Sequence, residues 1–590
     1  MKKQLLGGTL FALSCFPVYS QAIVTELLIN LMPEDVNIAV DLATQVQVGA
    51  SDLGAPVFVS QITTDTTLSA DQTYFLQEEV FVTNGATLTI EAGTVIYAAA
   101  FEFDPDLTSD NVVGSLIVTR GADIVVQGTE ELPVVMTTVD SLEALRNTDV
   151  DNDGVVASAP TQNTTGRWGG LTILGNAFVA NFTDSDTDSS SGNEINLFEG
   201  SIEGFGGLGF EDLDSDGFSD LLEFGSSANS DSDVLALNNA ESSGSIQFLS
   251  IRHGGFMLSD GNEINGLTMA GVGSGTVIDH VEVVANEDDA FEWFGGTVNS
   301  SHLVAAFSND DSFDIDLGHS GTHQFWFAIY DGDGGDHGGE WDGTNVNDGD
   351  SSPADGLGNS NPLIANVTFL DTGNSDTTEA IRFDDFFSGI LLDSAIDNFG
   401  VDETYDNESD GIGLGLTVIN NVFAGNNNVA PSFNAGNDYD TELNLVSVSA
   451  LPNGLLDPRP TADSLLLTSA SDFSQNPLLD DVSYRGAFGP DELFISGWTF
   501  LQEAGFLPDL APAAEEIEII DCGVVGSNFN IRFLSTNDAS YRIMFSTDLT
   551  DGFVNVVSGQ TGIQGTGGEI SSTFLMPNAA PRLFFRVEEE

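Results

Sequence analysis

The sequence predicts an all-β chain whose main body is a right-handed parallel β-helix with coils of about 22 residues, carrying inserted acidic loops and ending in a small C-terminal β-sandwich. Three observations predict it. Short β-branched runs broken by Gly, Asn and Asp fill the chain from Leu76 onward, as in Ala86 to Ile96 and Ser115 to Gly128. Helix-period stretches are confined to short candidates near Asp140–Arg146 and Gly497–Ala504. Finally, Ile278 to Gly296 aligns without gaps on Ser300 to Gly318, so that His280 meets His302, Asp288 meets Asp310, Asp289 meets Asp311 and Phe291 meets Phe313. In a β-helix, side chains alternate in and out. Phe291, Trp293, Phe313 and Ile315 are then expected inside, with Glu292 and Asp314 stacked outside. A propeller blade would need roughly twice this period.

Residues 1–22 read as a secretory signal: Lys2 and Lys3 start it, Leu5 to Phe16 form an apolar run, and Ser20 and Ala22 offer small residues for cleavage. Leu13 lies one position too close to Cys15 for a good lipid-attachment signal. Cys522 is then the sole cysteine of the mature chain, so no intramolecular disulfide staples it. Residues 23–75 are expected as a lead-in or cap, 76–507 as the β-helix, 508–516 as a linker and 517–590 as the C-terminal β-sandwich. Insertions are expected at 182–243 and 331–361. No later apolar run is long enough for a transmembrane span.

Charge narrows the partners. The chain has 92 acidic against 13 basic residues, a formal net charge of −79, and both lysines lie in the signal. Nucleic acid and anionic membrane are poor partners, since both need clustered Lys and Arg. Calcium, a salty medium or cationic ligands fit. A salt-adapted surface and an ion-binding one use the same residues, and both readings stand. At 41% hydrophobic residues the chain can still fill a large core.

Asp212-Leu-Asp-Ser-Asp-Gly-Phe-Ser-Asp-Leu-Leu-Glu223 has the spacing of a calcium loop. Asp212, Asp214, Asp216, Asp220 and Glu223 supply carboxylates, Gly217 the tight turn and Phe218 a carbonyl. With Asp231 and Asp233 following, the segment resembles a bacterial thrombospondin type 3 repeat, which implies a structural Ca2+ site. Asp149, Asp151 and Asp153 begin a similar loop, but Pro160 stands where its last acid belongs. The Gly/Asp-rich run Asp331 to Gly343 reads either as a solvated loop or as Asp336, Glu340 and Asp342 around a metal or sugar.

The stacked doublets Asp288-Asp289 and Asp310-Asp311 place like charges on adjacent coils, which calls for a cation, a shared proton or an Asx-rich turn ladder. His280 over His302 reads as a polar ladder. Were the chain an enzyme, Asp288, Asp289, Asp310, Asp311, Glu292, Asp314 and Arg382 would be the catalytic candidates, Arg382 falling in the row of Glu292 and Asp314. Asn309 to Asp311 followed by Gly318-His319 is similar to the paired acids and Gly-His of polygalacturonases, but the spacing is far shorter and the later Arg-Ile-Lys is missing. Lyase chemistry on a uronate commonly uses Lys or Arg, and no lysine remains in the mature chain.

Arg167 to Ala177, Ile251 to Gly255, Gly261 to Gly275, Asp288 to Val298 and Gln324 to Ala328 together resemble a family of secreted β-helix proteins of environmental Gram-negative bacteria. That resemblance implies a secreted or cell-surface location, outer-membrane-associated or extracellular. Tyr541 to Leu549 and Leu583 to Val587 are similar to C-terminal modules of other exported bacterial proteins, which implies attachment or sorting. The expectation is a calcium-binding surface scaffold presenting an acidic face to a polysaccharide or cell-surface component without catalysis, with a calcium-dependent polysaccharide hydrolase or lyase as the alternative. Exposure of Trp168 and Trp341 in a groove would favour the enzyme.

Overall fold

The computed structural model describes, apart from short internal gaps, residues 46–47, 58–59, 61–101, 112–178, 238–257, 264–343, 360–373, 380–405, 415–425, 436–508 and much of 519–589. Residues 1–508 and 509–590 form two compact units.

The first unit is a right-handed parallel β-helix. One face is a ten-stranded parallel sheet running from Gln61–Ile62 through Leu267–Ala270, Phe291–Phe294, Phe313–Asp316, Glu340–Asp342 and Arg382–Asp384 to Thr404–Tyr405. The other two faces share a seventeen-stranded sheet, because strands such as Val277–Val284 and Asn299–Ala306 bend around a corner without breaking their pairing. Val277 pairs with Asn299 and Phe291 with Phe313, the offset of 22 seen in the sequence. Elsewhere the coil is longer: Leu267 pairs with Phe291, Ile315 with Trp341 and Trp341 with Phe383.

The bend in the long strands has a backbone cause. Phe248, His280, His302, Phe325, Asn366, Asp393 and Asn420 occupy one register and all have positive φ, between 51° and 64°. Left-handed backbone is unusual for bulky residues and tolerable for Asn and Asp. At the aromatic positions ring stacking offsets it: Phe248, His280, His302 and Phe325 form a continuous pile with centroid spacings of 4.4, 4.3 and 4.8 Å.

Inside, Phe291, Trp293, Phe313, Ile315, Trp326 and Trp341 are fully buried, with Phe313 stacked on Trp326 at 4.5 Å and Trp293 on Trp326 at 5.0 Å. Trp168 and Trp341 are therefore core residues. Their indole N–H groups donate to the Arg252 and Phe313 carbonyls, at 2.7 and 3.0 Å, and neither offers a face to a sugar.

Two boundaries differ from expectation. Parallel pairing begins at Gln61, ahead of residue 76, because Thr66–Leu68 and Tyr74–Leu76 already pair with Thr87–Glu91 and Val95–Ala98. At the other end it stops at Asp438–Asp440, well short of residue 507. Residues 443–507 instead form a strap of turns, a two-stranded antiparallel ladder and the short helix Phe500–Glu503. The strap lays Leu456, Phe488, Phe494, Ile495, Trp498 and Phe506 onto the outer side of one face, where Val284, Val304, Ala306, Phe327 and Ile329 project. Glu282 pins it: its carboxylate accepts from the Phe500 and Leu501 N–H groups at 2.7 and 3.4 Å, at the N-terminal end of that helix. Arg252 adds an ion pair to Glu503 at 2.8 Å and lies over the Phe500 ring.

The second unit holds two antiparallel sheets, one of Ile519–Val525, Asn528–Leu534 and Glu569–Leu575, the other built on Ser540–Ser546 and Phe584–Glu589. Ile531, Phe533, Tyr541, Ile543, Phe574 and Val587 form their common core.

Candidate functional site

Three rows of outward or corner positions converge at the edge of the ten-stranded sheet. Immediately before its strands, the coil turns through Asp288-Asp289 in one layer and Asp310-Asp311 in the next. The register then continues to His337, which lies 26 residues beyond Asp311 in place of 22. Within the strands, pairing stacks Thr268, Glu292, Asp314, Glu340 and Arg382 in one outer row. A second row runs Ala270, Phe294 and Asp316, and in the following coils Asp342 pairs with Asp384.

Three donor sets result, each with its oxygen or nitrogen atoms within 4.8 Å of one another: Asp288, Asp289 and Asp310; Asp289, Glu292 and Asp314; and Asp311, His337 and Glu340. Asp289 belongs to two of them. The backbone ties them together, since Asp289 accepts from the Asp311 N–H at 3.0 Å and Asp311 from the His337 N–H at 2.7 Å. His337 Nδ1 also meets Asp311 at 2.9 Å and lies 3.9 Å from Glu340. Asn265 donates to Glu292, and its own carbonyl oxygen is buried without a hydrogen bond. Arg382 pairs with Glu340 at 2.7 Å and Asp384 at 3.1 Å.

Burial and mutual repulsion raise these acids. Desolvation first, and then the charges of Asp288 and Asp311, lift Asp289 well above the usual carboxylate range. Desolvation again, with Glu292 and Asp289, lifts Asp314. Asp311 is raised by burial against the opposing effect of His337, and burial pushes Asp316 up to about 6. Such a cluster holds either shared protons or a cation. All-oxygen trios suit a hard cation such as Ca2+, and the Asp311, His337, Glu340 trio is a mixed oxygen and nitrogen set.

The structure thus brings together Asp288, Asp289, Asp310, Asp311, Glu292 and Asp314, and joins Arg382 to them through Glu340. Asp336, by contrast, stands exposed beside His337. Sequence reading missed His337 and Asn265: the longer coil hides His337 from an alignment at 22 residues, and an Asn in a Gly-rich stretch carries no signal. Asp212, Asp214, Asp216, Phe218, Asp220, Glu223, Asp231, Asp233, Asp149, Asp151 and Asp153 lie outside the described residues, as do the signal segment and residues 344–359.

The Gly318-His319 pair does not line this corner. His319 is fully buried, its Nδ1 bonded to the Gly295 carbonyl at 2.7 Å and its Nε2 2.8 Å from His323 Nε2. Ser300 bridges His323 and the Trp326 N–H. Burial drives His319 down to about 4 and His323 well below its ordinary value, so both are neutral core residues.

Among the described residues no helix is long and apolar enough to cross a membrane. No curated protein matches the sequence. The chain is similar in structure to an endo-xylogalacturonan hydrolase from Aspergillus tubingensis, with 10% identity, a TM-score of 0.25 and coverage of 63% of this chain and 91% of the hydrolase. It is also similar to the enzymatically active domain of tailspike protein 2 of bacteriophage CBA120, with 7% identity, a TM-score of 0.24 and coverage of 88% and 68%. The family model for the pectate-lyase-like β-helix domain matches residues 60–150 and 225–449, more than half of the chain. With that match and the parallel coils described above, the protein belongs to the pectate-lyase-like β-helix family.

Proposed function

We propose that this protein is an exported, extracellular or cell-surface β-helix scaffold that binds Ca2+ at its acidic corner and uses the loaded corner to hold a polysaccharide or another surface component, without cleaving it. The carrying observation is the pair of all-oxygen trios that share Asp289 across adjacent coils. Their carboxylates repel one another when ionised, and a divalent cation relieves that repulsion while leaving coordination positions for ligand oxygens. The calcium loop expected at Asp212 to Glu223 would add a second, structural ion.

Catalysis by the same acids is the second reading, favoured by the Arg382 guanidinium in the row of Glu292 and Asp314. One feature weighs against it: all five tryptophans are buried, so none forms a sugar-stacking platform.

Thermal unfolding of the mature chain with calcium and after chelation, alongside a polysaccharide panel assayed for binding and for cleavage, tests the proposal. A calcium-dependent rise in Tm with binding but no product release supports it. Release of reducing ends or unsaturated products makes the corner an active site, and no calcium effect removes the metal.

A further inference from the structure

The outer side of the ten-stranded sheet changes character part-way along. In Phe313–Asp316, Glu340–Asp342 and Arg382–Asp384 buried and half-buried residues alternate, as they do where one face of a strand meets water. In Ser115–Val118, Leu171–Leu174, Leu267–Ala270 and Phe291–Phe294, which precede them, every residue is buried, inward and outward alike. Pairing sets the outward rows: Ile117 meets Thr172, Thr268 meets Glu292, and Leu174 meets Ala270, which meets Phe294. Ile117, Leu174, Thr268, Ala270, Glu292 and Phe294 all point away from the core and are nevertheless no more than 3% exposed. The apolar members form a cluster of their own with Leu317 and Phe81, separate from the one the strap covers. Thr268 Oγ1 is shut off from water without a hydrogen bond among the described residues. Burial on both faces requires a second layer over this part of the sheet.

One segment leaves and re-enters the coils at the edge of that patch. Beyond Leu174, the Gly175 N–H donates to the Ala270 carbonyl at 2.8 Å and the Ala177 N–H to that of Gly271 at 2.6 Å, while Gly296, two residues past Phe294, donates to the Phe178 carbonyl at 2.6 Å. The chain returns at the same place: the Asn238 N–H donates to the Asn176 carbonyl at 2.8 Å, and the Phe178 N–H to Asn239 Oδ1 at 2.9 Å. Residues 179–237 therefore start and finish beside Phe294. Ahead of the Asp212 to Glu223 loop their sequence gathers Ile195, Leu197, Phe198, Ile202, Phe205 and Leu208 into one stretch. Other segments fit less well. Residues 344–359 start and finish at Gly343 and Ser360, next to the half-buried outer row, and carry Val346 and Leu357 as their only large apolar residues. Residues 102–111 and 258–263 precede Ser115 and Leu267, at the starting ends of the strands.

We propose that the apolar stretch 195–210 of this insertion docks on the outer face of the sheet, over Ile117, Leu174, Ala270 and Phe294, and extends as far as Glu292. The acidic corner is then walled on that side, and a partner meets it from the side of Asp314, Glu340 and Arg382, where Glu340 and Arg382 keep 27% and 32% of their side-chain surface exposed. The insertion is in this way a specificity-determining element beside the corner. The docking does not depend on what the corner binds; its consequence for access rests on the function proposed above.

The test uses the full mature chain in calcium buffer with a photo-crosslinking benzophenone side chain at the position of Phe294. Irradiation followed by peptide mapping should join that position to residues 179–237 of the same chain. Links to residues 509–590, to a second copy or to any other segment, or no link at all, overturn the docking. A second measurement stands should that variant not fold: Ala270→Cys in a Cys522→Ser background places a thiol under the docked stretch. It should resist maleimide in the otherwise intact chain and react about tenfold faster or more once Phe198→Ser and Phe205→Ser loosen the insertion. Equal labelling rates with and without the two serines overturn the proposal. Neither readout involves a polysaccharide, so failure of the docking and failure of the corner as a binding site are told apart.

Discussion

Two faces of the same β-helix finish their outer surfaces in opposite ways. On the strap side the outward rows are Val284, Ala306, Ile329 and Leu370, and beside them Val304 and Phe327. On the ten-stranded sheet the outward row of the same coils is Glu292, Asp314 and Glu340. Apolar rows left in water would be a liability, and the chain covers them with its own residues 443–507, each fully buried large side chain contributing roughly 1.5–3 kcal/mol. Among the described residues no comparable strap lies over the carboxylate rows. Apart from Lys2 and Lys3, eleven arginines face 92 acids, and of these Arg382 reaches the row. One face is completed by the polypeptide, and on the other the described residues leave a row of carboxylates.

Phe327→Ala breaks the covered face most severely. Phe327 is fully buried and packs edge-on against Phe488 at 5.1 Å, so its truncation should cost about 3–5 kcal/mol, measured by chemical denaturation with and without calcium. The calcium increment should survive. Next comes the strap anchor: Glu282→Ala leaves two helix N–H groups without their acceptor and should cost about 1–3 kcal/mol, with hydrogen exchange rising first at Phe500 and Leu501.

On the acidic face the sign reverses. Asp314→Asn removes one of several directly opposed like charges and should stabilise the calcium-free protein by about 0.2–1 kcal/mol while weakening its response to calcium. Denaturation midpoints in chelator and in calcium, compared with the parent, measure both effects. A carboxyl whose pKa is raised by folding binds its proton more tightly in the folded state, so the stability it lends is fully present below its unfolded value and is lost as pH rises through the folded one. For Asp316 that window runs from 3.8 to about 6. Calcium-free protein should therefore lose Tm across it and continue to lose it at higher pH as the trio acids Asp289, Asp311 and Asp314, raised in the same direction, give up their protons, and there calcium should flatten the slope. A steep slope that calcium leaves unchanged would detach the corner from the metal. Arg382→Gln should change stability least, by under about 1 kcal/mol, because its ion pairs with Glu340 and Asp384 are partly solvated.

Legibility in the sequence followed the regularity of the coil. Between Ile278 and Gly318 two coils match without a gap, and the doublets, the histidine pair and the inward aromatics could be placed from the residues alone. Where coils lengthen, as between Asp311 and His337 or Trp341 and Phe383, the register is set by strand pairing across an insertion, and the partners stayed hidden. Phe248 and Phe325 carry no sign of their left-handed backbone, because aromatic residues seldom adopt it and the stacking that offsets it is a contact between coils. The strap was equally opaque: its apolar residues read as further coils, since hydrophobic pattern shows that a residue will be buried but not against what.

The sequence by itself determined the β-helix, its acidity and the repeat of the acid and histidine positions, all of them consequences of local alternation and composition. Tertiary structure alone decided which carboxylates meet at Asp289, that every tryptophan is buried, four inside the coils and Trp498 on the underside of the strap, and that both histidine rings of adjacent coils come to Asp279. Those are meetings of side chains on different coils, and the distance in sequence between coils varies with every inserted loop.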